Sequence, residues 1–170
     1  YSYIRDHSMK TGNHPKEEQT LVLLKPDAVQ RALLGEIMHR FERKGLKIIG
    51  LKMIQMDDAI ARAHYGKYVD KPFFEGLKNF MGSAPIVAMV ISGLNAVKVV
   101  RLLVGATKSY EAAPGTIRGD FAMSMQSNLI HASDPAENPE EEVARFFQQS
   151  ETFSYKKINF DLLHAPDELK

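Results

Sequence analysis

The sequence predicts an α/β sandwich in which helices pack on an antiparallel-type sheet. Short apolar, β-compatible runs alternate with segments whose apolar residues recur at helical spacing. Caps and breakers (Asp27, Gly45, Asp57, Pro72, Asn95, Asn138-Pro139) fall at the junctions. The chain has 170 residues and no internal repeat, which suits one domain with a full core and excludes an array of small modules.

The elements follow in order. Residues 20–24, Thr-Leu-Val-Leu-Leu, form a strand stopped by Pro26, with Asp27 expected to cap the next helix. From Val29, apolar residues recur at Leu33, Ile37 and Phe41, with Leu34 and Met38 beside them, one helix that Gly45 ends. Residues 46–56 read as a long strand, apolar on both faces at its centre. Asp57 opens a helical region through Tyr65, Pro72 interrupts it, and residues 73–81 form another short helix. Residues 85–92 are the most buried-looking strand, and Asn95 caps a helix carrying Val97, Val100 and Leu103 or Val104.

Residues 104–117 show no period and hold Gly105, Pro114 and Gly115; a loop this long in a compact domain is usually functional or disordered. A short strand is expected near residues 129–131. Asn138, Pro139, Glu140 and Glu141 then supply cap, N1 proline and acidic first turn for a last helix with Val143, Phe146 and Phe147 inward. Residues 1–16 are polar and aperiodic and are expected to be a flexible N-terminal segment. Met9 can serve as a native start, which would leave Tyr1–Ser8 as the remnant of an expression tag. Residues 17–170 make the single domain, of which residues 150–170 are a C-terminal extension.

Composition bounds the chemistry. A formal net charge of +1 offers no broad basic field, which argues against nucleic acid as a partner. The absence of cysteine removes disulfides, thiolate catalysis and zinc–thiolate sites, and fits a reducing compartment. No apolar run approaches the roughly 20 residues of a membrane helix, and no apolar signal core is present, so a cytoplasmic location is expected.

The candidate chemistry gathers late in the chain. His131 lies in Asn128-Leu-Ile-His131-Ala-Ser133-Asp134, just after the Gly/Arg segment 114–120. Imidazole is a good nucleophile when one nitrogen is free and the other is held by an acceptor. Glu142, early in the last helix, can be that acceptor, or can simply compensate the helix dipole. His7, His14, His39, His64 and His164 read as ordinary core or surface residues. Arg101 and Arg118 flank the aperiodic loop and Thr107 and Thr116 lie inside it, two guanidiniums and hydroxyls that suit a polyphosphate. Lys25 stands at a strand exit, where phosphate sites are commonly fed. There is no GxxxxGK[ST] or GxGxxG loop, so side chains must hold any nucleotide, and Phe73 and Met125 can clamp a base or simply fill the core.

These residues, with Lys25-Pro-Asp-Ala-Val-Gln-Arg31, Gly35-Glu-Ile, His64-Tyr65, Gly105-Ala-Thr107 and Pro114 to Phe121, resemble nucleoside diphosphate kinases in order and spacing from about Gln19 to about Phe147. The resemblance implies a ferredoxin-like βαββαβ fold with a four-stranded antiparallel sheet and added helices. It implies ping-pong transfer of the γ-phosphate from a nucleoside triphosphate such as ATP to a nucleoside diphosphate, through a phosphohistidine on His131. In that reading Glu142 holds the opposite ring nitrogen and Ser133 supports Glu142. Lys25 and Tyr65 lie near the transferred group, and Arg101, Thr107 and Arg118 bind the α- and β-phosphates. Asn128 and Lys25 meet the sugar 3′-hydroxyl, and Phe73 and Met125 sandwich the base. Mg²⁺ would ride on the nucleotide phosphates with no direct side-chain ligand, and the assembly would be a homo-hexamer or homo-tetramer.

Two departures stand out. Lys108-Ser109-Tyr110 replaces the family's frequent Asn-Pro, removing a stiffening proline, and Ala132 stands where glycine is frequent. The alternative reading is a non-catalytic nucleotide-binding regulatory or interaction module.

Overall fold

A computed structural model describes residues 14–169. Most of the segment set aside at the N-terminus therefore lies outside the described residues. Within them, His14 opens a turn and its Nε2 pairs with the Leu169 carbonyl at 2.9 Å.

Four strands make one antiparallel sheet in the order β2-β3-β1-β4: β1 Glu17–Leu24, β2 Lys47–Ile54, β3 Ile86–Leu94 and β4 Ile130–Ala132. Helices cover both faces, which explains why β1 and β3 read as unbroken apolar runs rather than alternating ones. Val22, Leu24, Val87, Met89 and Ile91 face one layer, formed by α1 (Pro26–Gln30), α2 (Leu34–Lys44), α5 (Ala96–Val104) and α6 (Ile117–Phe121). Leu21, Leu23, Ile86, Ala88 and Val90 face the other, formed by α3 (Asp58–His64), α4 (Phe74–Gly82) and α7 (Pro139–Phe146). This is the expected ferredoxin-like α/β sandwich with added helices.

The helix expected from Val29 to Gly45 is two helices. Ala32 adopts φ 57° between α1 and α2, and the apolar period merely runs on across the break. Asp27 is not a cap either. Lys25 holds the cap position of α1, and Asp27 is the second residue of the helix, where its Oδ2 accepts from the Leu129 N–H at 3.0 Å. Asp57 and Asn138 do cap α3 and α7 as expected, and Gly45 ends α2 in the left-handed region at φ 105°. Asn95 precedes α5 but makes no side-chain cap bond, being itself left-handed at φ 54°.

The C-terminal extension lies along its own chain. The Phe153 N–H donates to Ile49 O at 2.8 Å, extending the β2 edge, and the Tyr155 hydroxyl donates to Ile48 O at 3.0 Å. A last short helix, α8 (Phe160–Leu163), places Leu163 against Gly45.

At the far end of β1 from Lys25, Glu17 and Lys47 form an ion pair at 2.6 Å with both side chains 2% exposed. Ser92 Oγ also donates to Glu17 at 3.1 Å. Removing the carboxylate takes from the buried Lys47 ammonium the charge that faces it, although Lys47 Nζ still donates to Tyr155 O at 3.2 Å. Glu17→Leu is therefore expected to destabilise the fold by about 3–5 kcal/mol, read as a lowered urea midpoint; a loss below about 1 kcal/mol would show that the pair rehydrates easily.

Candidate active site

β4 has only three residues, and its pairing with β1 decides where each side chain points. Ile130 and Ala132 enter the layer of α1, α2 and α5. Strand alternation therefore turns His131 toward the opposite layer, where α3 ends and α7 begins. There Glu142, from the first turn of α7 and 2% exposed, accepts two hydrogen bonds on Oε2. One comes from His131 Nε2 at 3.1 Å, the other from Ser133 Oγ at 2.9 Å. Ser133 Oγ is itself fixed by the Leu21 N–H at 3.2 Å.

The electrostatics follow from this burial. Burial alone would raise the Glu142 pKa, but the hydrogen bonds from His131 and Ser133 outweigh it and keep the carboxyl below its usual range. Burial is also the largest influence on His131; it lowers the imidazole pKa against the opposing pull of Glu142. The ring is neutral at pH 7, and a carboxylate acceptor at Nε2 selects the tautomer whose Nδ1 lone pair is free. Among the described residues Nδ1 has no hydrogen-bond partner.

Lys25 caps α1 directly beyond β1. Its N–H donates to Leu129 O at 2.8 Å, and its Nζ donates to Asn128 Oδ1 at 2.6 Å and Gln126 O at 3.2 Å. Burial, then the charge of Arg118, lower its pKa to about 8, with Asp27 opposing. Asn128 spends its amide N–H groups on Thr107 O and Met125 O, at 3.0 and 2.8 Å. Leu129, next in sequence, is held at φ 71°, so the turn that presents Asn128 stores backbone strain.

Arg118, 4% exposed in α6, ties three segments together. Its Nε, Nη1 and Nη2 donate to Asn128 O, Gly105 O and Ile130 O at 3.3, 3.1 and 2.6 Å. A guanidinium has five N–H donors, so the remaining two are available to a ligand. Burial and then Arg101 lower its pKa to about 10, which still leaves it charged at neutral pH. Thr116 does not serve this site; it caps α6 by accepting from the Gly119 N–H at 3.0 Å. Gly119 is required because a Cβ there would lie 2.0 Å from Ala113 O. The turn that replaces the missing proline is held differently, by Ser109 Oγ donating to Ser124 O at 2.7 Å.

A cleft of about 630 Å³ brings together Lys25, Tyr65, Phe73, Arg101, Thr107, Arg118, Met125, Asn128 and His131. Glu142 and Ser133 stand behind His131 rather than in the cleft. Phe73 and Met125 are not core: at 52% and 58% exposed they present open apolar faces. Arg101 approaches Asp134 at 3.8 Å. The Tyr65 hydroxyl is buried without a partner among the described residues, and burial raises its pKa, so it stays protonated. Sequence reasoning missed Leu77 and the Lys67–Glu137 ion pair, which also line the cleft. It also took His64 for an ordinary residue, whereas its ring stands 4.7 Å from that of His131. Its adjacency to Tyr65 was the available signal.

The protein is a ferredoxin-like α/β sandwich whose cleft gathers basic side chains around one imidazole. The nucleoside diphosphate kinase family model matches residues 18–152. The nucleoside diphosphate kinase of Archaeoglobus fulgidus is 48% identical over 147 residues, 86% of this chain and 97% of its own. That of Pyrococcus horikoshii is 50% identical over 143 residues, 82% and 91% of the two chains. The structure of the Halobacterium salinarum nucleoside diphosphate kinase in complex with CDP superposes with a TM-score of 0.86 at 44% identity, covering 88% and 99%. The chain belongs to the nucleoside diphosphate kinase family. Its reaction is phosphoryl exchange between nucleoside triphosphates and nucleoside diphosphates.

The buried lysine can be tested apart from activity. By side-chain NMR, one lysine is expected to titrate near pH 8, charged below that value and neutral above it, and to vanish in Lys25→Met. Titration near the ordinary value of about 10.4 would show that Asp27 and Asn128 offset the burial completely.

Proposed function

We propose that His131 carries the phosphoryl group between nucleotides. The observation that carries this reading is the Glu142 carboxylate on Nε2, which leaves Nδ1 as the nucleophile at the floor of a basic cleft. In the first half-reaction the Nδ1 lone pair attacks the γ-phosphorus, the bond to the β–γ bridging oxygen breaks, and nucleoside diphosphate leaves. The phosphoimidazole keeps its Nε2–H on Glu142, which stabilises the positive charge that develops on the ring in both transition states. In the second half-reaction a terminal oxygen of a new nucleoside diphosphate attacks the same phosphorus and the N–P bond breaks.

Lys25 and the Tyr65 hydroxyl stabilise the transferred group, and Arg101, Arg118 and Thr107 hold the remaining phosphates by charge and hydrogen bonding. Asn128, with Lys25, meets the sugar hydroxyl. Phe73 and Met125 stack on the base without reading its edge, which accounts for broad base acceptance. Mg²⁺ fits as a companion of the nucleotide. The carboxylates lining the cleft, Asp134 and Glu137, face Arg101 and Lys67, so no carboxylate cage exists among the described residues. When bound, the ion neutralises phosphate charge.

The same reading extends to assembly and location. The β2 edge exposes Leu51 and Met53 at 53% and 57% beyond the point where Phe153 covers it, which supports pairing with a second copy in a homo-hexamer or homo-tetramer. No helix among the described residues is long and apolar enough to cross a membrane, and a cytoplasmic site of action is consistent with that.

Incubation with γ-labelled ATP and Mg²⁺, followed by a GDP chase, tests the mechanism. Acid-labile label should appear on the protein, move to GTP, and be absent in His131→Ala. Folded protein that binds nucleotide yet takes no label would favour the non-catalytic module. Glu142→Gln is expected to lower kcat by roughly 10²-fold or more, and an unchanged kcat would reduce Glu142 to a helix-dipole residue. Phe73→Ala should instead act on KM, by about 1–3 kcal/mol, while leaving kcat at saturation nearly intact.

A further inference from the structure

His64 is the last residue of α3 and is 7% exposed, yet neither of its ring nitrogens has a hydrogen-bond partner among the described residues. Its neighbours are the rings of Tyr65, His131 and Phe146, with centroids 4.6, 4.7 and 5.1 Å away. A phenylalanine would fill such a place without burying orphaned nitrogens. Burial disfavours protonation of the ring, and a neutral imidazole always keeps one nitrogen with a free lone pair. Ligand atoms of His64, His131 and Glu142 all lie within 4.8 Å of one another.

Two imidazoles and a carboxylate are a donor set for a borderline transition-metal ion, with the fourth position open to water. They are the wrong set for Mg²⁺, which demands oxygen and an octahedral shell. No cysteine anywhere in the chain competes for such an ion. Bonds of about 2.0–2.1 Å put tetrahedral ligand atoms roughly 3.4 Å apart. The His131–Glu142 pair is already at 3.1 Å, and His64 has no hydrogen bond to break in closing the rest. Lys25 and Arg118 oppose a further cation in the cleft, so only an ion that forms true coordinate bonds to imidazole can settle here.

We propose that His64, His131 and Glu142 form an inhibitory Zn²⁺ site behind the nucleotide cleft. The inhibition follows from the tautomer. A metal on Nε2 moves the ring proton to Nδ1, and a metal on Nδ1 occupies the nucleophile itself. In either case the lone pair that would attack phosphorus is gone. The inhibitory consequence rests on His131 as nucleophile; the binding does not.

Co²⁺ serves as the spectroscopic probe, because its visible bands intensify on four-coordination. One equivalent should bind the wild-type chain at micromolar concentration, give those bands, and be displaced by Zn²⁺. His64→Phe, which keeps ring volume and leaves His14, His39 and His164 in place, should lose the bands. In exchange assays with excess Mg-nucleotide and buffered free Zn²⁺, it should need at least tenfold more Zn²⁺ for half-inhibition, each protein being compared with its own metal-free rate. A chelator should restore the wild-type rate. Wild-type protein without the bands, or equal Zn²⁺ sensitivity in His64→Phe, overturns the proposal. Where His64→Phe fails to fold, His131→Ala decides, since bands retained there also overturn it. Bands without phosphorylation of His131 would keep the metal site and remove only its inhibitory role.

Discussion

The placement of His131 depends on a ladder of three residue pairs, Val22 with Ala132, Leu23 with His131 and Leu24 with Ile130. A slip of one residue would turn His131 into the α1/α2/α5 layer, where Ile117, Val100 and Val104 leave no room for a reacting group. So short a strand cannot secure its own register. It is pinned from outside by Arg118 on Ile130 O, by the Lys25 N–H on Leu129 O and by Ser133 against Leu21. Two of the residues that face the cleft, Arg118 and Lys25, thus also hold the strand.

This double duty shapes the electrostatics. Arg118 and Lys25 are charged groups at nearly core depth, an arrangement tolerated because backbone carbonyls and Asn128 satisfy most of their donors. These donors are already desolvated and aimed into the cleft, so in the proposed mechanism little reorganisation remains for the transition state. On the other side of the imidazole, Glu142 is the counterweight. One carboxylate oxygen receives both His131 and Ser133, which fixes the ring's orientation and its tautomer at once.

Much of the fold was legible because apolar runs and caps are local signals. Thr20 to Leu24, the Asp57 and Asn138 caps and the Gly45 stop all stand where the sequence places them. The break at Ala32 was not legible, since the apolar period continues across it. Asp27 looked like a cap, and its true partner is Leu129, a hundred residues away in the chain. Thr107 and Thr116 looked equivalent in the aperiodic loop. One lines the cleft and the other caps a helix, because Gly119 lets α6 start hard against Ala113.

By itself the sequence determined the sandwich, the position of His131 among short apolar residues, the basic residues around the loop and the family they resemble. Those are matters of residue type and spacing, which a single chain carries openly. Only the tertiary structure set Glu142 against Nε2 of His131, made Phe73 and Met125 open faces rather than core, and buried His64, with no hydrogen-bond partner among the described residues, against the ring of His131. Each of these depends on which layer a side chain enters, and β4 acquires its layer only through pairing with β1.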